Sequence, residues 1–383
     1  MTTLIKNCRI ISPDVDIVNG AVEIEDKIIK RVYKNQNDII NNNADHIIDA
    51  EGNIVFPGFV DIHTHGAMGA DVTDGKVESI KTIAKTKLSE GVTTFCPTTL
   101  TLPYEKLKEA ASSVAEYKKD TKYAKVAGMH LEGPFISESA VGAQNPSYIK
   151  KPDIKFVREM NDITKVAVVS FAIEVEGAID FIKELKQLGI VSSCGHTSAT
   201  YEDFKKAKAA GLNNITHFCN QVTKLHHREI GIVGAGLIDD NVKLEFICDK
   251  IHICPDMMNL TFKVRSPENM LLITDSMSAS GLEDGDYDLG GLEVVVKDDA
   301  ARLKSSGSLA GSTLKYYNSL KNTYEVTGLP LQELIKAAGY NQAKSLGIEN
   351  IGKIEEGYCA DIIVVNKDFK PYIAFVEGRE TVL

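Results

Sequence analysis

The chain has 383 residues, of which 43% are hydrophobic and 25% charged, and its formal net charge is −10. This composition is typical of a globular protein with one large or two smaller domains, and the acidic balance argues against nucleic acid as a partner. No apolar run approaches the ~18 residues that a membrane span needs, and the seven scattered cysteines form no CxxC pair, so we expect a cytoplasmic protein without a membrane partner.

The first 53 residues contain short β-rich segments separated by Asn, Asp and Gly, and they lack the pattern of a signal peptide. The polar stretch NQNDIINNNAD, residues 35–45, is typical of a loop. The tail from residue 355 returns to β character. We therefore predict that residues 1–53 and 355–383 form one small β-sandwich domain.

Between residues 54 and 354, short apolar strands alternate with amphipathic stretches of helical length. The predicted strands are VFPGFVDI, TTFCPTT, VAGMHLEG, VAVVSFA, IVSSCGH, NNITHF, KLEFICD and MLLITD. Helices are predicted over 76–90, 104–119, 174–188, 200–210, 312–326 and 330–346. An inserted hairpin is predicted at 282–297. Polar residues end nearly every strand, which favours an α/β fold with a (β/α)8 TIM-like barrel over an open doubly wound sheet.

The stretch PGFVDIHTHG, residues 57–66, ends the first barrel strand with His63 and His65. Their side chains point the same way because strand side chains alternate between faces. Two imidazoles on one face suit a divalent metal, although two polar residues in a solvated loop can have the same spacing.

Three later strands end in residues that bind metals: Glu132 in GMHLEGPF, His196 in SSCGHTSAT and His217 in NNITHFCNQ. Any one of them alone is more often structural, but their recurrence at strand ends favours one shared metal centre. Asp275, in MLLITDSMSA, ends the eighth strand and suits a general base, or alternatively an N-cap. Together with the first pair, these residues predict a hydrolytic metal centre that cleaves an amide or a cyclic amidine-like bond.

These motifs, with THFCNQVTKLHHREIGIVGAGL and GSLAGST, resemble those of the amidohydrolase superfamily over essentially the whole chain. HLEGPF and the HHREIG segment are specific to its N-acetylglucosamine-6-phosphate deacetylase branch. The resemblance implies hydrolysis of N-acetyl-D-glucosamine 6-phosphate to D-glucosamine 6-phosphate and acetate in amino-sugar catabolism. Water activated by metal would be the nucleophile, and Asp275 would be the general acid and base.

The resemblance also implies that Glu132, His196 and His217 hold the principal metal ion. His63 and His65 then supply ligands for a second ion, with Glu132 placed to bridge the two, so we predict one or two ions per subunit. Imidazole and carboxylate ligands suit zinc, our first expectation, and also iron, cobalt or manganese.

By the same resemblance, His252 is a second catalytic residue, near the acetyl carbonyl or a sugar hydroxyl. The residues implied to contact the sugar phosphate are Ala143, Gln144, Asn220, Gln221, His227, Arg228, His252, Leu309, Ala310 and Gly311. Many members of the branch have His in place of Gln144 and Ala in place of Gln221. These departures bear on the identity of the sugar more than on the reaction.

Members of this branch are commonly homodimers, and the loop with His227 and Arg228 is implied to reach the neighbouring subunit's site. From the residues alone, KLHHRE is either a phosphate-binding cluster or a solvated basic turn. Three alternatives to the main function stand: deacetylation of N-acetylgalactosamine 6-phosphate, another amidohydrolase reaction such as purine deamination, and a non-catalytic amidohydrolase-like scaffold.

Overall fold

A computed structural model of the chain describes residues 1–39 and 43–383, so part of the predicted loop at 35–45 lies outside the described residues. The N-terminal strands are Thr2–Ser12 (β1), Val15–Glu25 (β2), Ile28–Tyr33 (β3), His46–Asp49 (β4) and Ile54–Pro57 (β5). The first predicted barrel strand is in fact two strands. Its beginning is β5, which pairs with β1, and the barrel starts only after Gly58.

All eight predicted barrel strands are present. The strands of this part of the chain are Phe59–Thr64 (β6), Gly66–Ala67 (β7), Ala70–Asp71 (β8), Val92–Thr99 (β9), Lys125–Val126 (β10), Met129–Glu132 (β11), Val166–Phe171 (β12), Val191–Cys194 (β13), Asn214–Ile215 (β14), Lys243–Ile247 (β15) and Met270–Ile273 (β16). Parallel pairing runs from β6 to β9 and from there through β11, β12, β13, β14, β15 and β16. Between β16 and β6 the ring is joined by the Asp275 N–H, which donates to His63 O at 2.8 Å.

Helices cover the outside of the barrel. They are Val77–Ser89 (α1), Tyr104–Tyr117 (α2), Ile154–Ile163 (α3), Ala178–Gln187 (α4), Tyr201–Ala210 (α5), Gly231–Ile238 (α6), Pro255–Val264 (α7), Tyr316–Thr327 (α8), Leu331–Leu334 (α9) and Tyr340–Ser345 (α10). The helix predicted at 174–188 starts only after Gly177, whose φ of 88° is left-handed. The helix predicted at 330–346 is wrong as a single element, because a 3-10 turn and Gly339 separate α9 from α10.

The hairpin predicted at 282–297 is also wrong in extent. It is a three-stranded antiparallel sheet of Gly285–Leu289 (β17), Leu292–Lys297 (β18) and Ala300–Leu303 (β19). The sheet buries Leu289 and Val294 against Leu100 and Met277, and so it lies beside the carboxyl ends of the barrel strands. The sequence does not predict β19 because the strand has only four residues and two of them are alanine, which is depleted in strands.

The chain ends with Ile362–Val365 (β20), Pro371–Val376 (β21) and Arg379–Val382 (β22). They continue the N-terminal sheet in the order β22-β21-β20-β5-β1-β2-β3, with β4 also paired to β1. The predicted fold class, a (β/α)8 barrel with a small β domain from both termini, is confirmed. The boundaries at 53/54 and 354/355 stay a prediction. Among the described helices, none combines the length and the apolar character that crossing a bilayer requires.

Candidate active site

Three of the predicted site residues share an unusual backbone position. His196, His217 and Asp275 each lie two residues beyond the end of a barrel strand, with φ values of 47°, 29° and 50°. Residues other than glycine seldom adopt this left-handed conformation, and where they do the position is often functional. The three turns bring one imidazole or carboxylate from each strand to the same mouth of the barrel.

Glu132, His196 and His217 form the first of two compact ligand groups. Oε1 of Glu132 lies 3.0 Å from Nε2 of His217 and 3.4 Å from Nε2 of His196, and the two imidazole nitrogens are 3.2 Å apart. All three side chains are buried. The group therefore presents three potential metal ligands around one point.

His63, His65 and Asp275 form the second group. Oδ1 of Asp275 lies 3.1 Å from Nε2 of His65 and 3.5 Å from Nε2 of His63. Glu132 contacts this group as well, because Oε1 lies 3.3 Å from Nε2 of His63 and Oε2 lies 3.4 Å from Nε2 of His65. Among the described residues, Glu132 is thus the one carboxylate that touches all four histidines.

The hydrogen bonds behind the first group fix which ring nitrogen carries hydrogen. Nδ1 of His196 is 3.0 Å from the carbonyl oxygen of Ala140, and Nδ1 of His217 is 3.0 Å from that of Asn220. A carbonyl oxygen can only accept, so both Nδ1 atoms are donors and the neutral rings present Nε2 lone pairs to each other. Two lone pairs 3.2 Å apart beside a carboxylate repel unless a cation lies among them.

In the second group, the ring of His63 also has a hydrogen-bond acceptor at Nδ1. Nδ1 of His63 lies 3.1 Å from Oε2 of Glu245, whereas Nδ1 of His65 is buried with no hydrogen-bond partner among the described residues. Imidazole and carboxylate oxygen are ligands that divalent transition metals accept, so both groups fit such an ion.

Opposite charges also pair within the second group. Burial raises the pKa of Asp275, but His63 and His65 outweigh burial and bring the pKa to about 2. Burial lowers the pKa of His65, but Asp275 and Glu132 outweigh it and raise the pKa to about 9. At neutral pH Asp275 is therefore ionised and His65 is protonated, and a divalent ion would take the place of that proton between them.

A cavity of about 350 Å³ opens onto the two groups. Its volume suits a small-molecule ligand. The predicted site residues that line it are His65, Glu132, Ala143, Gln144, His196, His217, Asn220, Gln221, His252, Asp275, Leu309 and Gly311. His63 is fully buried and reaches the centre only through its contacts with Glu132 and Asp275, and Ala310 is fully buried next to the lining.

Two cavity residues are held in place by neighbours. Nδ1 of His252 lies 2.6 Å from Oδ2 of Asp249. Nε2 of Gln144 donates to Oε2 of Glu132 at 2.6 Å, and its Oε1 accepts from the Thr101 N–H at 2.6 Å. Gln144 thus orients the shared carboxylate and lines the cavity at the same time.

His227 and Arg228 do not line the cavity of their own chain. Both are exposed, and Nη1 of Arg228 lies 2.8 Å from Nε2 of His227. Their predicted role in substrate binding stays a prediction.

Sequence reasoning missed several residues. Arg302, Ser308, Leu100 and Leu289 also line the cavity. Glu245 is fully buried in β15, between Leu244 and Phe246. Buried charges need a partner, so a carboxylate within this apolar run was the sequence feature that could have identified Glu245 as a site residue.

Residues 54–382 match the profile of the Amidohydrolase family. The N-acetylglucosamine-6-phosphate deacetylase of Bacillus subtilis (strain 168) is 33% identical over 385 residues, which cover 98% of this chain and 96% of the relative. The N-acetylgalactosamine-6-phosphate deacetylase of Escherichia coli O157:H7 is 33% identical over 337 residues, or 87% of this chain and 89% of the relative.

Solved structures agree over the full length. N-acetylglucosamine-6-phosphate deacetylase from Thermotoga maritima superposes with a TM-score of 0.89 at 37% identity, covering 98% of this chain and 99% of that one. A mutant of N-acetyl-D-glucosamine-6-phosphate deacetylase from Mycobacterium smegmatis, in complex with N-acetyl-D-glucosamine 6-phosphate, gives a TM-score of 0.92 at 28% identity. That alignment covers 100% of this chain and 99% of the mutant.

Proposed function

The chain belongs to the amidohydrolase family, and from this premise we propose that it hydrolyses N-acetyl-D-glucosamine 6-phosphate to D-glucosamine 6-phosphate and acetate in amino-sugar catabolism. One observation carries the proposal: two ligand groups that share Glu132 lie with Asp275 at one cavity. The relatives named above are acetylated amino-sugar phosphate deacetylases, and this supports the same function for the present chain.

The proposed cofactor is a divalent metal, zinc in the first instance, with one ion on Glu132, His196 and His217. His63, His65 and Asp275 would hold a second. When bound, the metal polarises the amide carbonyl and lowers the pKa of a water molecule. The family is metal-dependent, and the described residues supply both ligand groups.

Side chains of the protein carry out the proton transfers and contact the substrate. Asp275, ionised and facing the cavity, accepts a proton from the attacking water and returns it to the departing amine. His252 keeps one ring nitrogen on Asp249, so the other is free to contact the acetyl oxygen or a sugar hydroxyl. Ala143, Gln144, Leu309 and the neighbouring backbone surround the sugar ring.

A substrate panel tests this function. Purified protein, loaded with zinc, is assayed for acetate release from the 6-phosphates of N-acetylglucosamine and N-acetylgalactosamine and from unphosphorylated N-acetylglucosamine. We expect the highest kcat/KM for N-acetylglucosamine 6-phosphate, by at least about tenfold, because a site that pairs polar groups with one epimer penalises the other. A preference for the galactosamine epimer would support the second candidate, which the Escherichia coli O157:H7 relative favours. Adenine is added to the panel and assayed for ammonia release; ammonia from adenine, or no release from any substrate, would contradict the proposal.

We further propose that the protein is a homodimer in which Arg228 binds the phosphate in the partner's site. In its own chain Arg228 is exposed and outside the cavity. Apolar side chains that are each about half exposed lie on the same loop and on α6 and α7: Leu225, Ile238, Leu260 and Val264. Exposed apolar groups of this kind are typical of protein interfaces.

Subunit mixing tests the dimer. Asp275→Asn and Arg228→Met each remove one half of a composite site, so each homodimer should be nearly inactive. After the two variants are unfolded and refolded together, about a quarter of the wild-type activity should return, because half the dimers are mixed and each has one intact site. Asp275→Asn mixed with itself is the control. Arg228→Met that retains wild-type KM, or a mixture that stays inactive, would contradict action across the interface.

The cytoplasmic location is also our proposal. All seven cysteines are free thiols in the structure, and a reducing compartment keeps them so.

A further inference from the structure

A row of three hydroxyl groups crosses the barrel interior. Oγ1 of Thr216 lies 2.6 Å from Oγ of Ser170 on one side and 2.6 Å from Oγ of Ser193 on the other. We refer to Ser170, Thr216 and Ser193 as the hydroxyl chain. They come from β12, β13 and the residue after β14, so the chain joins three neighbouring strands.

The two ends of the hydroxyl chain meet ionisable side chains. Oγ of Ser170 lies 2.6 Å from Nε2 of His130, whose Nδ1 lies 2.9 Å from the carbonyl oxygen of Ile62. At the other end, Oγ of Ser193 lies 3.4 Å from Oε1 of Glu245. The other oxygen of Glu245 is the partner of His63 Nδ1 at 3.1 Å.

The hydroxyl chain is sealed from solvent. None of His130, Ser170, Ser193, Thr216 and Glu245 is more than 1% exposed. The salt bridges found among the described residues give Glu245 no Lys or Arg partner, only His63. A buried carboxylate with so few contacts keeps its orientation only if each of them is maintained.

We propose that the hydroxyl chain is a positioning element for the second metal ion. Thr216 forms a hydrogen bond with Ser193, and Ser193 forms one with Oε1 of Glu245. The other oxygen of Glu245 fixes the ring of His63, so that Nε2 of His63 is directed at Asp275 and Glu132. Partners of this kind, one shell beyond a metal ligand, set its ring orientation and tautomer. The inference rests on the two-ion centre proposed above.

The contacts also predict which ion is affected. His196 and His217 receive their Nδ1 contacts from backbone carbonyls of Ala140 and Asn220, not from the hydroxyl chain. Only His63 depends on Glu245. Loss of the chain should therefore weaken the second ion and leave the first unchanged.

The test replaces one hydroxyl without changing shape. Thr216→Val removes Oγ1 and keeps the branched side chain, whereas Thr216→Ser keeps the hydroxyl and is the matched rescue variant. Metal-free protein is titrated with Co²⁺, and bound metal is measured by equilibrium dialysis while the visible absorption bands report the coordination of each ion. In Thr216→Val we expect the second Co²⁺ to bind about 10- to 100-fold more weakly with altered bands, and the first to bind as in wild type. Thr216→Ser should resemble wild type.

Several outcomes would overturn the inference. If Thr216→Val binds two ions with wild-type affinity and bands, the hydroxyl chain positions nothing. If both ions weaken equally, Thr216 has a general structural role. Should Thr216→Val fail to fold, Ser193→Ala is measured instead, since it removes the hydroxyl that contacts both Thr216 and Glu245 and carries the same expectation. Wild-type protein that binds a single Co²⁺ would refute the two-ion centre itself, whereas two ions in wild type with an unchanged variant would refute the positioning role alone.

Discussion

Asp275→Asn should lower kcat for acetate release by about 10²- to 10⁴-fold, the usual contribution of a general acid and base. The amide is nearly the same size as the carboxylate and retains one oxygen near His65, but it cannot accept a proton from water. The pKa of Asp275, about 2, keeps the wild-type carboxylate ionised at neutral pH, which is the form that can accept a proton. Steady-state kinetics on zinc-loaded protein measure the effect.

The matched control is Asp162→Asn, because Asp162 is an exposed carboxylate in the last turn of α3 and contacts neither ligand group. It should leave kcat within about twofold, as surface substitutions usually have little effect. Elemental analysis should find at least one ion per chain in Asp275→Asn, since Glu132, His196 and His217 are intact. Turnover at the wild-type rate in this variant would rule out Asp275 as the acid and base.

His63→Gln combined with His65→Asn should reduce bound metal from about two ions per chain to about one. The double variant removes two of the three ligands of the second group and leaves Glu132 with His196 and His217. Metal content is measured by elemental analysis after dialysis at saturating zinc. Activity should also fall sharply, because Glu132 and Asp275 lose the imidazoles that they contact.

The control for that experiment is His46→Gln. His46 has a 43% exposed side chain and pairs with Glu380 far from the barrel mouth, so its loss should change neither metal content nor rate. A double variant that still binds two ions would show that His63 and His65 are not ligands. If wild-type protein binds only one ion per chain at saturating zinc, His63 and His65 serve only to orient Glu132 and Asp275.

The barrel could be predicted because its signals are local. Apolar runs such as VAVVSF are buried along their full length and alternate with amphipathic helices, which is the pattern of a parallel sheet covered by helices. The prediction failed where the local signal is a single residue or a very short segment. Gly339 interrupts a helix whose composition is continuous, and β19 is too short to separate from a loop.

The convergence of the candidate metal ligands was predictable for a similar reason. His196, His217 and Asp275 follow strands that the sequence shows clearly, so parallel strands alone bring them to one end. The left-handed turns that carry them, the contact of Gln144 with Glu132, and the hydroxyl chain could not be predicted. These features depend on which side chains face one another across strands that are far apart in sequence. The apolar pattern of each strand does not specify the register in which it pairs with its neighbours.

The pairing of β5 with β20 has a consequence for biosynthesis. Ile54–Pro57 emerges from the ribosome early, yet its partner Ile362–Val365 is made about 300 residues later. The N-terminal sheet therefore stays three strands short, with β5 as an open edge, while the whole barrel between β5 and β20 is translated. Closure over such a sequence separation is slow, so the open edge of β5 can pair with another chain throughout this interval.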